Sequence, residues 1–148
     1  DPPGFRNWWT AEQMTELSDE AVAAIHERAQ GMPGSAPQIF CVAWGGAVED
    51  AGPADSPLAG RDTRFVIHPL MMWEDPADDE AVIAWGRGFR EEIRRFATGS
   101  AYANFSGEEG EERVVAAYGR ANYERLASIK AEWDPEDVFH APGHVPPR

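Results

Sequence analysis

The sequence predicts an α+β fold in which a small antiparallel sheet of three to four strands is covered by helices on one face. Two observations support this prediction. Residues 38–44 and 64–73 are rich in apolar and β-branched side chains, as strands are. Residues 82–96 carry large apolar side chains at steps of three and four, which is typical of a helix packed on a core. The length of 148 residues is typical of one domain.

The N-terminal region is predicted to be helical. Residues 10–13 (TAEQ) fit a capping box, and Ser18 offers a second N-cap. From Ser18 to about Gln30 the apolar residues keep helical spacing, and glycine and proline at 31–34 end the helix. We interpret the pair Trp8-Trp9 as an anchor in the core, with an exposed binding patch as the alternative.

Two strands are predicted in the middle of the chain. Residues 38–44 are nearly all apolar, which indicates a buried strand with Cys41 as a small buried hydrophobic residue. Gly45 and Gly46 then allow a sharp turn. Residues 64–73 form the second strand, and Pro69, which lacks an N–H, favours a sheet edge or a bulge there.

The second half of the chain is predicted as helix, strand and helix. Acidic residues at 75–80 open a helix that Gly99 closes, because negative charge is favourable at a helix N-terminus. Residues 100–105 indicate a short third strand with Tyr102 and Asn104 on one face. A last helix is expected from about Glu108 to Glu132, followed by a surface tail.

Charge and cysteine content exclude several classes of function. The net charge of −13 repels phosphate backbones and anionic lipid, so we expect neither nucleic acid nor a membrane as partner. No apolar run approaches the ~18–20 residues that cross a bilayer, and no signal peptide is visible, so a cytoplasmic location is expected. A single cysteine excludes an intrachain disulfide. His140 and His144 flank Pro142-Gly143, which breaks helical metal-ligand geometry, so no metal is expected.

Spaced motifs in the second half of the chain carry a family resemblance. Residues 102–105 (YANF) resemble a Y-x-N-[FY] motif, and residues 117–126 (AYGRANYERL) resemble A-Y-G-x-x-N-x-x-R-L. Residues 130–139 (KAEWDPEDVF) resemble K-x-x-[YW]-D-P-x-N-x-F, and residues 45–48 (GGAV) with Arg61 resemble an upstream motif. In this order the motifs are similar to the C-terminal part of berberine-bridge-enzyme-like FAD-linked oxidases.

The resemblance implies a partial enzyme. Members have an N-terminal FAD-binding domain, followed by a substrate domain whose antiparallel sheet covers the flavin ring. Residues 1–107 then correspond to part of the substrate domain, and residues 108–148 to the C-terminal helix and tail. The implied cofactor is FAD in the complete enzyme, which this chain alone is not expected to hold tightly. The implied partners are an FAD-binding domain, in cis or in trans, and a small-molecule substrate.

The implied function is oxidation of a hydroxyl-bearing small molecule, with hydride transfer to flavin and dioxygen as acceptor. The missing initiator Met favours a piece of a longer or processed protein, which is expected to be inactive alone. One alternative is a free-standing domain that binds a small molecule or a protein without redox chemistry, with a homodimer completing the sheet. A second alternative is an inert remnant without a site.

The resemblance also implies site residues. Tyr102 matches a tyrosine that serves as catalytic base, although a phenol of pKa ~10 needs a cation or hydrogen-bond partner for this role; the alternative is a packed strand tyrosine. Asn104 matches a residue near the flavin, or it satisfies local backbone. Plant members often carry Lys and Gln where this chain has Val66 and His68. His68 is therefore the second catalytic candidate, with a structural hydrogen bond as the alternative.

Two departures from the family pattern concern the tail. Asp137 replaces the usual Asn after D-P-x, and residues 142–145 (PGHV) replace an N-Q-N-I-like run. These differences put in doubt whether the tail docks on an FAD domain in the usual way.

Overall fold

One antiparallel sheet and the helices around it make up the fold. A computed structural model of the protein describes residues 3–52, 55–105, 110–141 and 143–148. Within these residues, the sheet contains four strands: β1 (Arg6–Trp9), β2 (Glu12–Met14), β3 (Gln38–Ala43) and β4 (Phe65–Trp73). The α-helices are α1 (Asp19–Ala29), α2 (Ala47–Asp50), α3 (Asp79–Ile93), α4 (Glu111–Tyr118) and α5 (Arg120–Trp133). The predicted class and sheet size are confirmed.

β4 lies at the centre of the sheet and pairs with the other three strands. β3 runs along one side, and β1 and β2 follow each other along the other side in one continuous register. The prediction that Pro69 marks an edge or a bulge is therefore wrong. The ladder of backbone hydrogen bonds is instead interrupted between β1 and β2, opposite Pro69, because proline has no N–H to donate. A long hydrogen bond of 3.5 Å, from the Thr10 N–H to the Pro69 carbonyl, remains there.

The core lies between the sheet and the helices α1 and α3. Its two clusters of buried side chains consist of Met14, Ile67, Phe89 and Ile93, and of Met71, Trp73 and Val82. The apolar stripe predicted for α3 is thus confirmed as a core face. Trp8 packs against the second cluster, which confirms the interpretation as an anchor for this residue.

Two predictions for the first half of the chain are wrong. Residues 10–13 do not cap a helix, since β2 begins at Glu12; the N-cap is Ser18, whose Oγ accepts from the Ala21 N–H at 3.2 Å. β3 is not buried, because it lies at the side of the sheet, and Cys41 is exposed. An apolar run indicates a strand but does not say what covers it.

The C-terminal third also differs from the prediction. Residues 100–105 form no strand; they are a loop that ends in a 3₁₀ turn, Ala103–Phe105. The last helix is divided into α4 and α5 at Gly119, whose φ of 74° is incompatible with a continuous helix. The predicted helix start at Glu108, and the boundary after residue 107, lie outside the described residues. Every described helix is too short or too polar to cross a membrane.

Candidate functional site

The predicted site residues meet on the face of the sheet opposite α1 and α3. His68 points to this face because side chains alternate along β4, and its neighbour Ile67 lies in the core. Tyr102 and Asn104 come from the loop after α3, which lies against the same face. Rings at positions 40, 44, 68, 102 and 105 contact one another here; we call them the aromatic cluster.

Tyr102 and Asn104 are held together by a tight turn rather than by a strand. The Phe105 N–H donates to the Tyr102 carbonyl at 2.9 Å, which closes the 3₁₀ turn. Within it, Asn104 Nδ2 donates to the Tyr102 hydroxyl oxygen at 3.0 Å. Because that oxygen accepts from the amide, its own hydrogen points away from Asn104 Nδ2. The sequence correctly predicted that Tyr102 and Asn104 lie together, but it predicted a strand where the structure has a 3₁₀ turn.

His68 is oriented by the irregularity at Pro69. Its Nδ1 lies 2.8 Å from the Thr10 carbonyl oxygen, which can only accept, so Nδ1 carries the hydrogen. In a regular antiparallel ladder that carbonyl would accept a hydrogen bond from the N–H of the residue opposite, but that residue is Pro69, which has no N–H. In its neutral form the imidazole is thereby held in one tautomer, with Nε2 as the acceptor nitrogen. This contact is the structural hydrogen bond that the sequence left as an alternative.

The aromatic cluster forms a column of rings with a tyrosine against its side. Phe105 stacks on His68 at a centroid distance of 4.3 Å, and His68 stacks on Phe40 at 5.9 Å. Tyr102 meets Phe105 edge-on at 5.0 Å, and Trp44 meets Tyr102 at 4.9 Å. Sequence reasoning missed Phe40, Trp44 and Phe105. Strand alternation could have placed Phe40 opposite His68, whereas the other two depend on loop paths.

A buried ion cluster, also missed from the sequence, lies where β2 meets α3 and α4. Glu12 is 1% exposed, and its Oε1 lies 2.8 Å from Arg90 Nε and 3.2 Å from Arg113 Nη2. Arg113 also donates to the Ala11 carbonyl. A buried carboxylate needs such compensation, because desolvating a single charge is costly. This cluster therefore joins β2 to α3 and α4.

Two of the sequence motifs contact each other beside a cleft. Arg61 donates to the Val48 carbonyl at 2.7 Å and to the Ser56 hydroxyl, which closes the loop that follows the glycine pair. The Ala59 N–H donates to the Ala117 carbonyl at 2.9 Å, where α4 ends. Between this loop and the α4–α5 junction lies a cleft of about 410 Å³. These motif residues thus hold the loop on the helices.

The third motif forms a closed turn around Asp134. This carboxylate accepts from the backbone N–H groups of Val138 at 2.8 Å and Phe139 at 3.0 Å. Lys130 pairs with Asp134 and donates to the Phe139 carbonyl at 2.6 Å. The Lys130 ammonium, together with these two N–H groups, lowers the pKa of Asp134 to about 2. We call this arrangement the Asp134 turn.

Asp137, which departs from the family pattern, fits the same turn. Its φ is 53°, a left-handed conformation that asparagine and aspartate tolerate better than other side chains. Its carboxylate lies 3.1 Å from Lys130 Nζ and 2.9 Å from His144 Nε2. Burial opposes ionisation of Asp137, but Lys130 and His144 outweigh it and lower its pKa. The Asn-to-Asp difference thus keeps the backbone conformation and adds a charge.

Comparison with known proteins agrees with the motifs. Residues 101–146 match the family model "Berberine and berberine like". The uncharacterized FAD-linked oxidoreductase YvdP of Bacillus subtilis is 28% identical over 130 residues, which are 88% of this chain and 29% of that protein. The aclacinomycin-N/aclacinomycin-A oxidase of Streptomyces galilaeus is 32% identical over 130 residues, covering 74% of this chain and 24% of the oxidase. The chain thus spans less than a third of the curated relatives it matches.

Solved structures show the same fold. The BBE-like #28 protein of Arabidopsis thaliana superposes with a TM-score of 0.86 at 18% identity, covering 100% of this chain and 35% of that one. Aclacinomycin oxidoreductase superposes with a TM-score of 0.84 at 24% identity, covering 100% and 34%. The resemblance to the C-terminal part of FAD-linked oxidases is confirmed. FAD, as expected, is the cofactor of the complete enzymes in this family.

Proposed function

We infer that this chain, a homologue of the C-terminal part of FAD-linked oxidoreductases, supplies the substrate side of an enzyme that oxidises a hydroxyl-bearing small molecule. The observation that carries the proposal is the hydrogen-bonded pair Tyr102–Asn104 on the sheet face opposite α1 and α3, where Tyr102 also belongs to the aromatic cluster. A proton acceptor held in a fixed position next to an apolar surface is what oxidation of a bound alcohol requires.

In the proposed reaction, Tyr102 acts as the base. The phenol first gives its own proton to solvent, and the resulting phenolate oxygen takes the proton of the substrate hydroxyl as the carbinol C–H bond breaks and the carbonyl C=O bond forms. A bound flavin would supply the acceptor for the hydride and its two electrons, and dioxygen, taking up those electrons and two protons, would leave as hydrogen peroxide. Asn104 keeps the phenol oxygen in place through its 3.0 Å hydrogen bond, so the base does not rotate away from the substrate.

The residues on this face fit the ring part of a flavin. A flavin ring is planar and apolar on its faces and carries carbonyl and N–H groups along its edge. The aromatic cluster supplies flat apolar surface, with Phe40 42% exposed, and Asn104 supplies an exposed amide that can donate or accept. We assign contact with the flavin ring to Asn104. The chain's net charge of −13 does not favour the pyrophosphate, which we assign to an FAD-binding domain in cis or in trans.

His68 is the second proposed catalytic residue. Val66 stands where plant members often have lysine, so a cation from that position is missing. The Phe105 ring contacts both the His68 ring and the Tyr102 ring, and Nε2 is the acceptor nitrogen of the His68 tautomer. We propose that Nε2 accepts a hydrogen bond from the substrate hydroxyl or from a water molecule that exchanges protons with Tyr102. Residues 1–107 and 108–148 remain our proposed division into substrate domain and C-terminal segment.

A second candidate function is a binding module without redox chemistry. The exposed ring of Phe40 at the end of the aromatic column favours it, since such a surface binds a small apolar ligand without any cofactor. In that case the outer side of β3, where the described residues place no further strand, is proposed to pair with a second copy.

Visible absorption distinguishes the two candidates. We expect the purified chain to be colourless after incubation with FAD and desalting, and the protein expressed from its complete reading frame to carry a flavin band near 450 nm. In that flavin-loaded protein, Tyr102→Phe is expected to lower the rate of flavin reduction by an alcohol substrate about 100-fold, the usual effect of a general base.

Tyr118→Phe is the matched control, because Tyr118 lines the cleft beside the α4–α5 junction. Equal rates for the two variants would show that Tyr102 is not the base. A complete protein without a flavin band would reject the redox function and favour the binding module.

A further inference from the structure

Residues 10–13 are buried and contact both halves of the candidate site. None of the four is more than 2% exposed. At one end, the Thr10 carbonyl accepts from His68 Nδ1 at 2.8 Å. At the other end, the Gln13 carbonyl accepts from the Thr98 N–H at 2.8 Å, in the loop that leads from α3 to the proposed base. The position of this segment therefore bears on both proposed catalytic residues.

The buried ion cluster holds the middle of the segment. Arg113 of α4 is 9% exposed and uses one nitrogen, Nη2, for two contacts. This nitrogen donates to the Ala11 carbonyl and lies 3.2 Å from Glu12 Oε1, which also lies 2.8 Å from Arg90 Nε. Because the pair is shielded from solvent, its attraction is screened less than that of a surface pair. Arg113 thereby fixes the carbonyl next to the one that binds His68.

Strand pairing is weak at the point where this segment follows β1. The Thr10 N–H reaches the Pro69 carbonyl only at 3.5 Å, and Pro69 has no N–H to donate in return. The Thr10 and Ala11 carbonyls belong to adjacent rigid peptide planes, so a constraint on one restricts the other. The contact from Arg113 to the Ala11 carbonyl therefore stabilises the backbone where the ladder does not.

We propose that Arg113 is a positioning residue for His68. By holding the Ala11 carbonyl, it keeps the adjacent Thr10 carbonyl within reach of His68 Nδ1, and the neutral imidazole stays in the tautomer whose Nε2 accepts. This inference rests on the proposed function, in which Nε2 accepts a hydrogen bond from substrate or water. Without that carbonyl the ring hydrogen also populates Nε2, which then can only donate.

Histidine-ring ¹⁵N NMR tests the proposal in the 148-residue chain, at a pH where imidazole is neutral. In the parent chain we expect a pyridine-type shift at His68 Nε2 and a pyrrole-type shift at Nδ1, both assigned by their loss in His68→Gln. In Arg113→Met the two shifts should move toward each other, because both tautomers are then populated. The exposed His26 on α1 is the internal reference. Unchanged His68 shifts in Arg113→Met would overturn the proposal.

Arg90→Met is the matched control, because it also leaves Glu12 with one arginine but keeps Arg113 on the Ala11 carbonyl. We expect its His68 shifts to equal those of the parent chain. Equal changes in the two variants would mean that Arg113 only stabilises the fold, and would contradict the proposal. Arg113→Lys should restore the parent shifts, because one nitrogen makes both contacts and an ammonium can replace it.

Loss of folding is handled by the conditions and by a second variant. The samples contain trimethylamine N-oxide, which favours the folded state of destabilised variants. If Arg113→Met still does not fold, Glu12→Gln takes its place, because it weakens the same contact while keeping the shape of the side chain. Parent-like His68 shifts in Glu12→Gln would then overturn the proposal.

The rate of flavin reduction separates this inference from the proposed function. In the flavin-loaded protein expressed from its complete reading frame, Arg113→Met is expected to lower that rate by up to about 100-fold, as misplacement of a catalytic group does. A changed His68 tautomer with an unchanged rate would refute the catalytic role of His68 and leave the positioning by Arg113 standing. An unchanged tautomer would refute the positioning, whatever the rate.

Discussion

The helix-covered face of the sheet and the Asp134 turn are held together by opposite means. Under α1 and α3, apolar side chains such as Phe89 and Ile93 are buried, and the carboxylate of Glu12, which is buried with them, is compensated by two arginines. In the Asp134 turn the polar groups lie inside and the apolar ones outside. The first region is therefore stabilised by buried apolar contacts, and the second by hydrogen bonds and ion pairs around one carboxylate.

Removing the charge of Glu12 is expected to destabilise the chain more than any change in the Asp134 turn. Glu12→Gln keeps the shape but leaves Arg90 and Arg113 without their shared carboxylate, and such a loss in a buried cluster costs about 3 kcal/mol. Urea denaturation of the isolated chain measures this cost. The control is Glu49→Gln, because Glu49 forms an exposed ion pair with Arg64 at 3.7 Å and should contribute at most about 0.5 kcal/mol. Equal costs in the two variants would refute the assignment of a buried cluster.

A methyl group on the core face of α3 is expected to have the next largest effect. An ideal Cβ at Gly86 would lie 2.6 Å from Trp8 Cε3, so Gly86→Ala forces the ring or the helix to move. Overpacking of this kind costs about 1–3 kcal/mol, which exceeds the gain in helix propensity of about 1 kcal/mol. At Gly88, two positions later, a Cβ would meet the flexible end of Arg28 at 3.1 Å. Gly88→Ala should therefore be neutral or stabilising in the same thermal denaturation experiment; a loss as large as that of Gly86→Ala would argue against the Trp8 contact as the cause.

The stability of the Asp134 turn should decrease at low pH, which tests the role of its ionised carboxylate. The pKa of Asp134 is lowered from 3.8 to about 2, so its ionised form favours the folded turn. The resulting stabilisation is present above pH ~4 and is lost as the pH falls toward 2. Carboxyl ¹³C NMR follows the titration, and the amide shifts of Val138 and Phe139 should change with it. In Asp134→Asn this titration should be missing. If the amide shifts of Val138 and Phe139 still titrate near pH 2 in that variant, a different group causes the change.

Local patterns predicted the elements, and tertiary surroundings decided where they lie. Ser18 as N-cap and the stripe of α3 follow from a few neighbouring residues, and both are confirmed. The exposure of Cys41 depends on what lies beside β3, and the central position of Pro69 depends on a break between β1 and β2. Neither the exposure of Cys41 nor the central position of Pro69 can be predicted from local sequence, because burial and strand pairing depend on distant parts of the chain.

The candidate site was predictable in its residues and less so in its geometry. The family motif pointed to Tyr102 and Asn104, and a 3₁₀ turn brings them together where a strand was expected. The fixed tautomer of His68 follows from the proline next to it, since the carbonyl opposite needs another donor. This derivation requires knowing that Thr10 lies opposite Pro69. The sequence alone does not give that strand register.

Truncating the exposed apolar side chains of the Asp134 turn is expected to have the smallest effect on the isolated chain. Trp133→Ser and Phe139→Ser remove large side chains that are 80% and 82% exposed, so little buried area is lost on mutation. Changes at such surface positions usually alter the free energy of unfolding by less than about 0.5 kcal/mol. Phe89→Ala, from the buried face, should cost about 3–5 kcal/mol in the same urea titration. If either surface variant unfolds as easily as Phe89→Ala, these side chains stabilise the chain itself, and the contrast between a buried core and an exposed apolar turn no longer holds.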